Sequence, residues 1–140
     1  VYTLRLLTPS QTDAILGQKH VPYPFEPHFL NRIYGDAWRS IAIFQEDALI
    51  LYLPFFVEKG RSRCASFPLI PFTPLSLSLP LRNPIRKFLQ QRSLILLLAK
   101  SLKSHFSVVL MNLLPQGVYL TPFSWAGFQL KLRYEFVLKQ

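Results

Sequence analysis

Across residues 85–104, apolar side chains recur at the spacing of an α-helix, with Ile85, Phe88, Leu89, Ile95, Leu96, Ala99 and Leu102 along one stripe. In the middle of this stretch Leu94, Leu97 and Leu98 point away from the stripe. The helix is therefore apolar nearly all round there and has to be covered on two sides. A single small sheet covers only one, so the rest of the chain has to supply more than that.

The remaining segments read as short elements. Residues 2–7 alternate as a strand, and Thr8-Pro9 is a helix cap followed by proline at the first helical position, which starts a short helix to about Leu16 that Gly17 stops. Pro22, Pro24 and Pro27 keep the next residues extended until a second short helix, residues 28–34, ends at Gly35. Residues 38–44 and 48–57 are rich in β-branched and aromatic side chains around Glu46-Asp47, which reads as a hairpin. Pro54 has no N–H to give, so one side of its strand should be unpaired or bulged. A turn at Lys59-Gly60-Arg61 leads to a short strand over residues 64–67.

Five prolines from Pro68 to Pro84 then forbid a helix and favour an extended connection with hydrophobic anchors. Past the long helix, residues 106–110 have strand length and a loop runs through Pro115 and Gly117. Thr121-Pro122 opens a short helix within residues 119–127, and residues 129–138 alternate as a closing strand.

The chain has 140 residues, the size of one domain, and can bury roughly two-thirds of the surface that its unfolded form exposes. Half of its residues are hydrophobic, which excludes the disordered class. No unbroken apolar run, that of residues 94–99 included, comes near the ~20 residues a membrane-spanning helix needs. No secretory leader is visible near the start, and the first residue, Val1, points to at least an initiator upstream. Cys64 is the only cysteine; it excludes an internal disulfide and fits a reducing, cytoplasmic compartment.

The net charge of +9 is unevenly placed. Asp13, Glu26, Asp36, Glu46, Asp47 and Glu58 all precede Lys59, and the next acid is Glu135. Such a field attracts anions: phosphates, nucleic acid, a membrane surface or an acidic partner domain. It equally fits a solvated face that keeps an apolar protein soluble.

Three stretches carry a resemblance. Residues 29–38 (FLNRIYGDAW), 53–57 (LPFFV) and the closing 123–128 (FSWAGF) with 132–138 (LRYEFVL) are similar to FemAB-like proteins, which are built from two GNAT-like halves. The chain resembles the first of those halves over most of its length, as a single domain over residues 1–140. The resemblance implies an α+β fold with a GNAT-like mixed, mostly antiparallel central sheet flanked by a long helix and short helices. It also implies an acyl or aminoacyl transferase, with aminoacyl transferases of peptidoglycan bridge formation among the relatives. A second half, or self-association, would then be the partner.

In GNAT enzymes the loop entering the long helix carries a glycine-rich pattern whose amides hold the pyrophosphate of coenzyme A. Here residues 78–84 read SLPLRNP, without glycine, and Pro80 and Pro84 remove two donors. No cofactor is therefore expected in this chain, while acyl-CoA or aminoacyl-tRNA would serve the parent protein. This half is expected to line an acceptor-substrate cleft, with negligible turnover of its own. It would be cytoplasmic, with peripheral contact at the inner face of the membrane as a further option. A basic nucleic-acid- or anion-binding module without enzymatic activity is the alternative.

Arg82, Arg86 and Lys87 cluster at the start of the long helix, where a phosphate could sit. Lys59, Arg61 and Arg63 could extend the same basic surface. Both groups equally fit ordinary solvation. Phe123, Trp125 and Phe128 could stack on a base, and more often such aromatics close a core or an interdomain seam. His20, His28, His105 and Cys64 lack metal-ligand spacing, and no catalytic constellation is visible, so no metal or catalytic residue is expected.

Overall fold

A computed structural model describes residues 2–16, 25–58, 60, 62–70, 72–114 and 119–131. The chain starts with β1 (Tyr2–Leu7), α1 (Pro9–Leu16) and α2 (Pro27–Tyr34). The hairpin β2 (Trp38–Gln45) and β3 (Ala48–Val57) follows, then β4 (Arg63–Ala65), β5 (Thr73–Pro74) and β6 (Ser76–Leu77). The long helix α3 (Pro84–His105) leads to β7 (Val108–Leu110), β8 (Leu113–Leu114) and α4 (Thr121–Trp125). The main sheet has the order β1-β2-β3-β4-β7 with β6 also on β3, and β5 pairs with β8 in a small second sheet. All pairs of the main sheet are antiparallel except β4–β7. This is the expected GNAT-like α+β order of elements: a six-stranded, mostly antiparallel mixed sheet with one long helix and short helices.

Local chemistry explains the short helices. Thr8 and Gln11 form a reciprocal capping box: Gln11 N–H donates to Thr8 Oγ1 at 3.3 Å and Thr8 N–H donates to Gln11 Oε1 at 3.0 Å. The expected stop at Gly17 lies outside the described residues. Helix α2 ends on Gly35, whose φ of 62° lies in the left-handed range and whose N–H donates to Asn31 O.

The β2–β3 hairpin closes through Glu46 and Asp47, with φ of 49° and 68°, between the paired Gln45 and Ala48. Two left-handed residues in a two-residue loop match the right-handed strand twist, but Asn-Gly occupies them at lower cost. Changing this pair to Glu46→Asn with Asp47→Gly is expected to raise stability by ~1 kcal/mol. The midpoint of urea unfolding reads it, and an unmoved midpoint would show that the turn is unstrained.

The position of Pro54 decides how β3 is shared. Val57 N–H donates to Ala37 O on the β2 side, so by alternation the amide of residue 54 faces the other edge. On that edge β6 pairs Leu51 and Tyr52 and β4 pairs Phe56 and Val57, while residues 53–55 have no partner in either register. The expected unpaired side is there. The β2–β3 register also shifts between Ile43 and Phe44, so one residue of β3 is extra.

Alternation along β3 gives the sheet two apolar faces. Leu51, Leu53, Phe55 and Val57 join Leu94, Ile95, Leu98, Ala99 and Leu102 of α3 in the larger core. On the opposite face, Trp38 packs with Phe25, Leu30 and Phe67, and Trp38 Nε1–H donates to Asn31 Oδ1 at 3.0 Å. A buried hydroxyl pair, Thr12 with Ser40 at 2.7 Å, fastens α1 to β2.

Several expectations need correction. The buried stripe of α3 starts only at Leu94, and Ile85, Phe88 and Leu89 are exposed. The spacing is helical, but only the second half of the helix enters the core, where Leu94 and Leu98 are buried along with Ile95, Ala99 and Leu102. Cover on two sides is present, with α4 packed along α3 beside the sheet. Residues 72–83 run without a helix, anchored by buried Thr73 and Leu75, and contribute β5 and β6, whereas the start of the expected extended connection is a turn: Leu69 has φ 69° and Ile70 N–H donates to Phe67 O at 3.1 Å. The fourth strand ends at Ala65 rather than Phe67, and Phe106 caps α3 rather than starting β7. Of the expected closing strand, residues 129–131 have no strand pairing, and residues 132–138 lie outside the described residues.

Candidate functional site

The entrance to α3 is where donor chemistry would have to reside. A helix amino end ordinarily leaves its first N–H groups free, and these attract anions. Here Asn83 Oδ1 accepts from Ile85 N at 3.0 Å and from Arg86 N at 3.3 Å. Asn83 O accepts from Lys87 N at 2.9 Å, and Pro84 has no N–H. Every amide of the opening turn is thus engaged or missing. The preceding residues run extended, tied down by Ser78 N–H donating to Ile50 O at 2.9 Å. The missing amide of Pro84 is read from the sequence, whereas the capping by Asn83 is seen only in the structure.

The basic residues divide into separate places. Arg82, Arg86 and Lys87 are exposed around this capped end. Arg63 lies elsewhere: Ser107 N–H, two residues beyond the carboxyl end of α3, donates to Ser62 O at 2.8 Å. At 1.5 Å per residue, the 22 residues of α3 separate its two ends by ~30 Å. Arg63 is therefore not part of the surface that Arg82 and Arg86 form. Its Nε is 3.1 Å from Glu58 Oε2, a half-exposed pair of small energetic value. Lys59 and Arg61 lie outside the described residues.

The three aromatics also divide. Phe123 is in the main core, and Phe128 packs edge-on against it with ring centres 5.7 Å apart. Trp125 is 54% exposed, with the Arg92 guanidinium 5.9 Å from its ring centre and Tyr119 beside it. Gly127 turns the chain between them at φ 96°.

An apolar cavity of about 110 Å³ lies between the sheet, α3 and α4, bounded by Leu53, Leu102, Met111, Leu113, Phe123 and Phe128 among others. Among the described residues, no ionisable side chain lines it. It can take a small hydrocarbon group.

Two titratable groups are buried in the sheet. Tyr52 is 4% exposed and its hydroxyl has no hydrogen-bond partner among the described residues; burial pushes its pKa up. Inside an apolar strand run, nothing in the sequence separates it from its neighbours. Cys64 is wholly buried, 3.8 Å from Met111 Sδ, and burial raises its thiol as well. Among the described residues, no three His, Cys, Asp or Glu side chains converge where a metal ion could be held. No helix among them is long and apolar enough to cross a membrane.

No family model and no curated protein matches the chain. Solved structures similar to it include a ribosomal-protein-alanine N-acetyltransferase from Brucella melitensis biovar Abortus 2308, at 14% identity and TM-score 0.45 over 100% of both chains. Another is a glucosamine-6-phosphate N-acetyltransferase from Arabidopsis thaliana, at 15% identity and TM-score 0.44 over 99% of this chain and 98% of that one. A third is an aminoglycoside acetyltransferase from an uncultured soil metagenomic sample, at 10% identity and TM-score 0.45 over 100% of this chain and 99% of the other.

Proposed function

We propose that this domain is the non-donor half of an acyl or aminoacyl transferase of FemAB-like type, which lines an acceptor-substrate cleft and packs on a second half. The order of elements and the sequence resemblance support the transferase class. The observation that carries the non-donor assignment is the capped entrance of α3. Asn83 engages the amides of residues 85, 86 and 87, and Pro84 contributes none.

A pyrophosphate is held at a helix amino end by several convergent N–H groups that act without reorganisation. To bind at this one, it would have to displace the Asn83 side chain, which costs a cap worth ~1 kcal/mol. It would then find only two freed amides. The surrounding cations supply attraction without the directed donors that orient a thioester. Chemistry in the parent protein is therefore assigned to the other half, and this domain contributes a wall and an interface.

Titrating coenzyme A into the purified chain by calorimetry tests the assignment. The expected result is no saturable heat up to millimolar ligand, and no release of free thiol from acetyl-coenzyme A beyond the uncatalysed rate. Micromolar binding would refute the proposal, because it would require an open donor loop. Binding that appears only in Asn83→Gly with Pro84→Ala would support it directly, since that variant frees the amides.

A further inference from the structure

We infer that the amino-terminal half of α3, together with α4, is a docking ridge for an anionic lipid bilayer. The inference does not rest on the transferase reading. Ile85, Phe88 and Leu89 occupy one face of the helix at i, i+3 and i+4 and are 71%, 44% and 43% exposed. Phe88 meets Tyr119 at 4.9 Å between ring centres, and Tyr119 meets Trp125 at 6.3 Å. Two elements thus build one continuous ridge, which ends where Arg92 lies over Trp125. The exposed apolar residues are neighbours, not scattered.

The charge around the ridge is predominantly positive; the nearest acids are Glu46 and Asp47 of the hairpin turn, beside Gln45, whose side chain accepts from Gln90 Nε2 at 3.2 Å. Helix α3 contains no acidic residue, and residues 59–131 contain none at all. Arg82, Arg86, Lys87 and Arg92 are exposed on the amino-terminal half of α3 and just before it. An apolar stripe flanked by cations matches a helix lying in the interfacial plane, with aliphatic and aromatic side chains at the acyl boundary and cations among anionic headgroups.

Charge and side-chain type together select this occupant. A second copy would bring the same cations face to face, so self-association through the ridge is repelled. Nucleic acid rewards flat rings that stack on bases. The most exposed position here is the branched aliphatic Ile85, with Leu89 beside it, and hydrocarbon is what covers such groups favourably.

Sedimentation of the full chain with vesicles, read alongside tryptophan emission, tests the proposal. Trp38 is fully buried and Trp125 is half exposed, so a blue shift on binding reports Trp125. Vesicles containing 30% phosphatidylglycerol in phosphatidylcholine should retain the chain and shift its emission to the blue, whereas pure phosphatidylcholine should do neither. Ile85→Glu with Leu89→Glu should weaken retention at least tenfold while leaving the circular dichroism unchanged, because both side chains face solvent. Arg86→Gln with Lys87→Gln should weaken it several-fold and reduce its dependence on salt.

Equal retention by neutral vesicles, no emission shift, or ridge variants that bind like the parent would overturn the inference. A dimer in lipid-free solution that dissociates on Ile85→Glu would also overturn it. So would tight binding to a single-stranded oligonucleotide that the same change abolishes while vesicles are ignored.

Discussion

Trp38→Ala is expected to lower the stability of the folded chain by ~3–5 kcal/mol. Trp38 is 0% exposed and is the largest side chain of the core between the sheet and α2, packed with Phe25, Leu30 and Phe67. Its ring fills space that no neighbour can reclaim, because Leu30 is held on a helix and Phe67 on a proline-bounded connection. Its indole N–H also satisfies Asn31 near the end of α2, so truncation leaves that acceptor unpaired. For a domain whose whole stability is ~5–15 kcal/mol, this is a loss that brings it near unfolding at ordinary temperature. Urea unfolding followed by circular dichroism measures it. Trp38→Phe should cost distinctly less, since it retains most of the apolar volume and loses chiefly the hydrogen bond. A loss below ~1 kcal/mol for the alanine variant would mean that the second core is loosely packed.

Alkylation of Cys64 by iodoacetamide at pH 8 should be at least ~1000-fold slower in the folded chain than in urea. The thiol is 0% exposed, on a short strand hydrogen-bonded to β3 on one side and β7 on the other. Desolvation raises its pKa and so disfavours the reactive thiolate. Labelling must then proceed through an open state, and the rate reports how rarely β4 separates. Fast labelling would show that the β4–β7 pairing opens locally.

The same burial has a pH consequence. The folded pKa values of Cys64 and Tyr52 are raised above their ordinary values of 9.0 and 10.0. In the unfolded chain both groups ionise near those ordinary values, so the unfolded form loses protons first. Stability is fully present below about pH 9 and falls as the pH rises beyond it, first through the thiol and then through the phenol. Tyr52→Phe should flatten the later part of that fall, and removal of an unsatisfied buried hydroxyl should not destabilise the chain at neutral pH.

What the sequence determined by itself was set by local backbone chemistry. Thr8-Pro9 starts a helix, Gly35 ends one, Glu46-Asp47 turns a hairpin and Pro54 leaves an edge unpaired. Each acts within a few residues, through a φ value or a missing donor, and does not depend on what lies across the molecule.

Tertiary structure decided which face of α3 is buried, because periodicity shows that a stripe exists but not where the sheet stops. It parted Arg63 from Arg82 and Arg86 along the length of a helix, although they are close in the chain. It placed Phe123 in the core and Trp125 on the surface, two residues apart. It joined β5 to β8 through pairings of two residues each, too short to leave a pattern. These outcomes depend on contacts between residues distant in sequence, and on where one apolar surface runs out of partner.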